Sequence, residues 1–337
     1  VDNLQRSDLQ RCLTPAADRT LDKVSEVQGS AEGPVLTTLQ QRTLAVLRRS
    51  GEPVLFDPEQ IAALERDLLD AFHAFAGRLG DRTLYVNKFT VAGVLGCERR
   101  HLAPDEFAWS PPVAGGQVAH KAIQLLVNWR GDPSPRDLVD EAIGVLAGGD
   151  TQLGDWIAAL DPAEEAELRG LAVERVTKFV ECFPPLDRRA TPMTEARVQW
   201  PLSGPIVLNG KVDLVLGRNV GGESRKVIID LKTGRVNPVH REDLRFYALV
   251  EALRTGVPPR KVASFYLDAA QAHVEDVTPG VLRSAVRRTL DAVDALIELT
   301  VEGREPVLRP GPPCRWCPLL ADCAEGRAHL AREDEFG

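Results

Sequence analysis

An α/β fold carrying a helical insert is what this sequence predicts, and three observations lead there. The apolar period shortens from about 3.6 residues to about 2 near residue 194. The segments that follow read in the order β-β-β-α-β, and the stretch before them, 135–183, is helical and acidic. With 337 residues, 44% of them hydrophobic and 27% charged, the chain can bury a sizeable core.

Residues 1–33 are polar and without apolar periodicity, and read as a flexible N-terminal arm. A helical region over 34–115 follows. Its clearest element opens at Asp57-Pro58, a capping residue and a proline at the first helical position, with Ile61, Leu64, Leu68, Phe72 and Phe75 recurring at steps of three and four. A second helical region spans 116–193. After Pro111-Pro112 and Gly115-Gly116 the pattern predicts a helix over 117–130 with Val118, Ala122, Leu125 and Leu126 on one side. Within the acidic insert, Asp161-Pro162-Ala163-Glu164 resembles a capping box. The α/β core occupies 194–303, with strands over 195–202, 206–216, 226–232, 262–268 and 272–277. A helix over 240–255 precedes the fourth strand, and an amphipathic helix runs from Thr278-Pro279 to 301. Residues 304–337 form a C-terminal segment holding three of the six cysteines, and a tail.

A net charge of −8 excludes a protein coated in basic surface, so any nucleic-acid contact has to be a local patch. No run reaches the roughly 18 apolar residues of a membrane span, and the first thirty residues lack the apolar core of a signal peptide. The reading is a cytoplasmic protein with no membrane partner, whose cysteines serve metal ligation or burial rather than disulfides. No phosphate-binding G-x4-G-K-[ST] loop is present, so the chain does not read as its own motor.

The chemistry-bearing residues gather in two strands. In the second, the pleat puts Val207, Asn209, Lys211, Asp213 and Val215 on one face and Val212, Leu214 and Leu216 on the other. The third, Val227-Ile228-Ile229-Asp230-Leu231-Lys232, starts apolar and ends with a carboxylate and a lysine two residues apart, hence side by side. Burying such charges unpaired costs several kcal/mol. A divalent cation between Asp213 and Asp230 would partner them, and a water made acidic by it could be deprotonated by the neighbouring Lys232.

Together with Gly116-Gln117-Val118-Ala119-His120 upstream and Gly210-Lys211-Val212-Asp213, this arrangement resembles the RecB-like nucleases of the PD-(D/E)XK superfamily, which include the nuclease domains of RecB and AddAB and the CRISPR-associated RecB-like exonucleases. The resemblance covers roughly residues 84–326. It implies a restriction-endonuclease-like core, a mixed β-sheet flanked by helices. It makes His120 a metal ligand after Gly116 and Asp213 the first carboxylate after Gly210. In Asp230-Leu231-Lys232-Thr233-Gly234 it supplies the second carboxylate and the catalytic lysine. Where the family has Q-x-x-x-Y, this chain has Asp243-Leu244-Arg245-Phe246-Tyr247, keeping the tyrosine and not the glutamine. Glu195, just before the first strand, also fits the pattern.

Cys314, Cys317 and Cys323 form a C-x2-C-x5-C cluster that needs one more ligand, for which Cys12, Cys97 and Cys182 are the candidates. A zinc ribbon would bring a second C-x2-C, which the sequence lacks. Cys97 lies where iron–sulfur members of the RecB-like and AddB-like branch place their first cysteine. The resemblance therefore implies a [4Fe–4S] cluster on Cys97, Cys314, Cys317 and Cys323.

The expected function is Mg2+- or Mn2+-dependent hydrolysis of DNA phosphodiesters, with an exonuclease of DNA repair, recombination or defence as the expected type. Asp213, Asp230 and His120, with the backbone carbonyl of Leu231, would hold the ion. Between Arg225 and Lys261 nine basic residues face four acidic ones, which predicts a DNA-binding patch on Arg235, Arg241, Arg245 and Tyr247. A separate helicase or recombination protein is the expected partner besides DNA. The alternative is a non-catalytic DNA-binding or scaffolding relative that keeps the fold and the cluster; a zinc-binding interaction module is a third reading.

Overall fold

In the computed structural model, residues 35–48, 51–52, 54–104 and 108–336 are described. The expectations for the arm at 1–33 and for Cys12 lie outside them. Local signals set most helix starts. Thr37 and Gln40 close a capping box on α1 (Thr38–Leu47). Asp57 accepts a hydrogen bond from the Glu59 amide at 2.9 Å to open α2 (Pro58–Leu79), whose Ile61, Leu64, Leu68 and Phe72 are buried. β1 (Leu84–Val86) has three residues, too few to show alternation in the sequence. The chain then turns at Asn87, whose side chain caps α3 (Lys88–Leu95), and continues into the short α4 (Glu98–His101).

α5 (Pro111–Asn128) begins six residues earlier than expected, with Pro111 and Pro112 as its first turn and both Gly115 and Gly116 inside it. Read as breaks, these glycines are instead points of close approach. A Cβ on Gly115 would lie 3.0 Å from an Arg175 guanidinium nitrogen, and one on Gly116 would lie 3.2 Å from Thr233 Oγ1. The insert is three helices: α6 (Pro135–Ala147), α7 (Gln152–Ala158) and α8 (Pro162–Cys182), the last opened by the Asp161–Glu164 capping box. Two strands follow, β2 (Met193–Trp200) and β3 (Ile206–Leu216), then β4 (Val227–Lys232). The chain ends with α9 (Val239–Thr255), β5 (Lys261–Tyr266), β6 (Gln271–Asp276), α10 (Pro279–Thr300) and α11 (Ala324–Phe336).

The strands form one mixed sheet in the order β1-β3-β4-β5-β6, with β2 pairing β3 as well. β1 runs parallel to β3 and β4 parallel to β5; β2–β3, β3–β4 and β5–β6 are antiparallel. Helices cover both faces. Leu68 of α2, Val91 of α3, Leu249 of α9 and Val293 of α10 pack with Ile206, Leu208, Val212 and Val262 in one core. Ala122 of α5, Leu138 of α6 and Phe179 of α8 pack with Ile229, Leu231 and Phe265 in the other. The fold is the mixed α/β arrangement that the motif order implies. Among the described residues, no helix is long and apolar enough to cross a membrane.

Candidate active site

The register of β3 creates the site. β1 pairs with it at Ile206–Leu208 and β4 pairs with it at Leu214–Leu216, so Asn209 to Asp213 have no ladder partner on either strand. β3 and β4 thus diverge into a fork just where Asp213 and Asp230 lie. The expected strict alternation along β3 also fails here. Val212 and Val215 join one core while Leu214 joins the other, so the pleat is interrupted at Asp213. On β2 the matching residue is Glu195, flanked by the Thr194–Leu214 and Ala196–Val212 pairs and held at φ +55°, a region few side chains adopt. Its carboxylate pairs with Lys211.

In the fork, Asp213 Oδ2 takes the place of a missing ladder acceptor: the Leu231 amide donates to it at 2.8 Å. His120 Nδ1, from α5, lies 3.7 Å from the same oxygen. Gly116, one turn before His120, lies against Thr233 just after Lys232, so the two glycine-bearing motifs lock α5 to the end of β4. Asp230 is 1% exposed and has two ammonium partners. Lys88 Nζ donates to Oδ1 at 2.7 Å, and Lys232 Nζ lies 2.6 Å from Oδ2, a buried atom without a hydrogen bond of good geometry. Lys232 is also 3.5 Å from Asp243 Oδ2 at the start of α9. Asp243, standing where the family pattern has glutamine, adds a third carboxylate.

The surroundings push the two central carboxylates apart. Burial raises the pKa of Asp213, against the pull of His120. Burial acts the same way on Asp230, but Lys88 and Lys232 outweigh it and hold that carboxyl below its ordinary value. Burial raises Asp243 too, with Lys232 offsetting part of the effect. His240, whose Nδ1 lies 3.0 Å from the Tyr266 hydroxyl, is pushed down to about 4 by burial and by Lys232.

Lys88 carried no signal in the sequence: it follows a three-residue strand and matches none of the spacings. A second lysine on the buried carboxylate could be found only from the fold. The four residues expected to contact DNA separate into two groups. Arg235 and Arg241 are exposed and without an ion-pair partner among the described residues. Arg245 instead forms a two-toothed pair with Glu275, with nitrogen–oxygen distances of 2.8 and 2.5 Å, and reaches Glu242 as well. Tyr247 is buried; its hydroxyl donates to the Lys211 carbonyl at 2.7 Å and its ring fills the space over Gly210, where a Cβ would come within 2.6 Å. Neither faces solvent as a phosphate contact would. Much of the other positive charge from 225 to 261 is paired as well, Lys226 and Arg254 with Glu251 and Lys261 with Asp276.

A cleft of about 1140 Å³ shares its lining between this site and the cysteines: Lys232, His240 and Asp243 border it, as do Cys97, Cys314, Cys317 and Cys323. The Gly311 amide donates to Cys314 Sγ at 3.4 Å and the Gly326 amide to Cys323 Sγ at 3.3 Å. A Cβ on Gly326 would lie 3.3 Å from one of these sulfurs and 3.5 Å from the other, so both converge on one glycine. A clamp missed in the sequence draws Cys97 to this segment. Glu98, 1% exposed, accepts from the Val307 amide at 2.6 Å and pairs with Arg304 at 3.0 Å and Arg309 at 3.3 Å. Cys182 is buried in the core. Among the described residues, no three His, Cys, Asp or Glu side chains converge closely enough to hold a metal ion as they stand.

Two crystal structures resemble the chain at low similarity. That of SSO0001 is 15% identical, covering 78% of this chain and 96% of its own, with a TM-score of 0.32. That of an Eubacterium rectale protein to which an exonuclease function is ascribed is 14% identical, covering 67% of this chain and 92% of its own, with a TM-score of 0.35. Scores of this size carry no argument. No curated protein matches. The family model of the PD-(D/E)XK nuclease superfamily matches residues 88–324, a stretch that opens at Lys88 and closes one residue past Cys323. With that span taking in both strands of the fork, its lysines and its three carboxylates, the chain belongs to the PD-(D/E)XK nuclease superfamily.

Proposed function

We propose that the chain is a RecB-like, metal-dependent nuclease that hydrolyses DNA phosphodiesters. The observation that carries this reading is the fork itself, which brings Asp213, Asp230 and Lys232 to one point beside His120. The donors are carboxylate oxygen and imidazole nitrogen, a set that suits a hard divalent ion, and a buried Asp230 oxygen lacks a well-formed hydrogen bond. Asp213, Asp230 and His120, with the Leu231 carbonyl, would hold Mg2+ or Mn2+, which when bound makes water more acidic and offsets phosphate charge. Lys232, fixed between Asp230 and Asp243, orients the attacking water through its ammonium, and would take a proton from that water only after giving up one of its own. Asp213 is kept in line by the Leu231 amide, so the backbone of β4 positions the first carboxylate.

Cys97, Cys314, Cys317 and Cys323 would hold a [4Fe–4S] cluster. Amide donors on two of the sulfurs and their convergence at Gly326 support this. Exposed Arg235 and Arg241, beyond the end of β4, would meet the phosphates, in a pathway of repair, recombination or defence where a separate helicase or recombination protein supplies the strand.

The test is cleavage of single- and double-stranded DNA with Mg2+ or Mn2+ and with EDTA. Lys232→Ala should lower the rate by at least about a hundredfold while retaining the parent's circular dichroism. A Lys232→Ala protein as fast as the parent would refute the mechanism. Arg235→Glu with Arg241→Glu should weaken DNA binding and flatten its dependence on salt; an unchanged salt slope would refute that patch. Anaerobically prepared protein should contain about four irons per chain. Iron that survives Cys97→Ala would remove Cys97 from the ligand set.

A further inference from the structure

Lys88 is not used by the chemistry above, yet it donates a hydrogen bond to the most buried carboxylate of the site. Its side chain is 7% exposed, and its ammonium donates to Asp230 Oδ1 at 2.7 Å. Lys232 lies against Oδ2, so both oxygens of this carboxylate already face a positive charge. The same ammonium has somewhere else to go: it lies 5.0 Å from the ring centres of both Phe89 and Tyr247. Phe89 is exposed, so one of these faces is open to solvent.

Charge decides what such a lysine does. Around the fork stand three carboxylates, Asp213, Asp230 and Asp243, and two lysines, Lys88 and Lys232. Their formal sum is one negative charge, and it would be two without Lys88. A divalent ion approaching Asp230 meets an ammonium already on Oδ1, and the two repel at short range in a poorly solvated setting. The same ammonium adds attraction for a phosphate entering the fork.

We propose that Lys88 is a positioning residue that acts as an internal competitor of the metal. It holds Asp230 charged and oriented, keeps divalent-ion binding weak while the site is empty of substrate, and yields Oδ1 by moving toward the aromatic faces of Phe89 and Tyr247. This rests on the reading of Asp213 and Asp230 as metal ligands. It predicts that removing the charge of Lys88 strengthens metal binding, whereas a lysine that merely braced the site would weaken it when lost.

The experiment is calorimetric titration of the full chain with MnCl2 alone, without DNA. Lys88→Met and Lys88→Gln should both bind Mn2+ about tenfold or more tightly than the parent. Gln retains a hydrogen-bond donor and guards against a variant that fails to fold, as checked by thermal melting. Lys88→Arg, which keeps the charge, should bind no more tightly than the parent. Asp230→Asn should abolish the binding. Equal or weaker Mn2+ binding by Lys88→Gln, with Asp230→Asn still abolishing it, overturns the proposal and leaves the metal site standing. Mn2+ binding that survives Asp230→Asn overturns both.

Discussion

The carboxylate fork and the cysteine segment border one cleft, yet the first is enclosed by two helical layers and the second by almost nothing. Asp230 is sealed between Lys88 and Lys232, whereas from residue 301 to 325 no residue is buried. In the fork, apolar cores on both sides of the sheet fix the charged groups in place. In the cysteine segment the contacts are polar: sulfurs facing amides, and arginines facing one glutamate. The difference shows that position can come from packing or from a few strong polar links. A segment of the second kind depends on each link far more than a packed strand does on each neighbour.

The sharpest way to break this comparison is to damage each region and measure the stability of the core. Asp230→Ala would leave Lys88 buried without its carboxylate, a loss of about 3–5 kcal/mol in denaturant unfolding. Cys314→Ala should leave the core transition where it is and affect only the segment. A Cys314→Ala protein that unfolds as early as Asp230→Ala would show that the two regions form one cooperative unit.

A smaller effect is expected at Gly210. A Cβ there meets the Tyr247 ring at 2.6 Å, so Gly210→Ala must displace a ring whose hydroxyl is tied to Lys211, at a cost of about 1–3 kcal/mol. Because that ring also flanks Lys88, the variant should lose nuclease activity as well. Unchanged stability would mean that the ring moves freely, and the enclosure described for the fork would be wrong.

The smallest effect concerns pH. His240 titrates at about 4 in the folded protein against about 6.5 when unfolded. Between these values the unfolded chain takes up a proton that the folded one refuses. Stability therefore falls as pH drops from about 6.5 to about 4 and levels off below. Solvent screens this half-buried ring, so the slope is modest. Melting temperatures of His240→Gln across that range should fall less steeply than the parent's; parallel curves would place the histidine's environment outside the enclosed region.

The class of fold and the motif order were legible because periodicity survives in the strands: β3 matches its predicted span residue for residue, and β4 differs by one. Asp230 and Lys232 could be placed side by side from the pleat alone. What the pleat could not show was its own interruption at Asp213, which depends on where β1 and β4 end along β3. Gly115 and Gly116 misled because a helix that must lie against Arg175 and Thr233 uses the residues that elsewhere break helices. The inward turn of Arg245 and Tyr247 was hidden as well. Nearly every residue of α9 from Asp243 to Leu253 is buried, so no polar face identifies which side meets solvent. Lys88 and Glu98 were invisible for a shared reason, since each finds its partners more than a hundred residues away.

The Glu98 clamp has a consequence for damage. It grips the chain at Arg304, Val307 and Arg309, before the first of the three clustered cysteines, and it contains no sulfur. Oxidation of Cys314, Cys317 or Cys323 would undo whatever those thiols hold. The loosening would halt at the clamp, which behaves like a fuse placed between a perishable end and a durable body. Protease treatment of air-exposed protein should then trim the chain from its C-terminus to near Arg309 and leave the sheet, the fork and both helical layers intact.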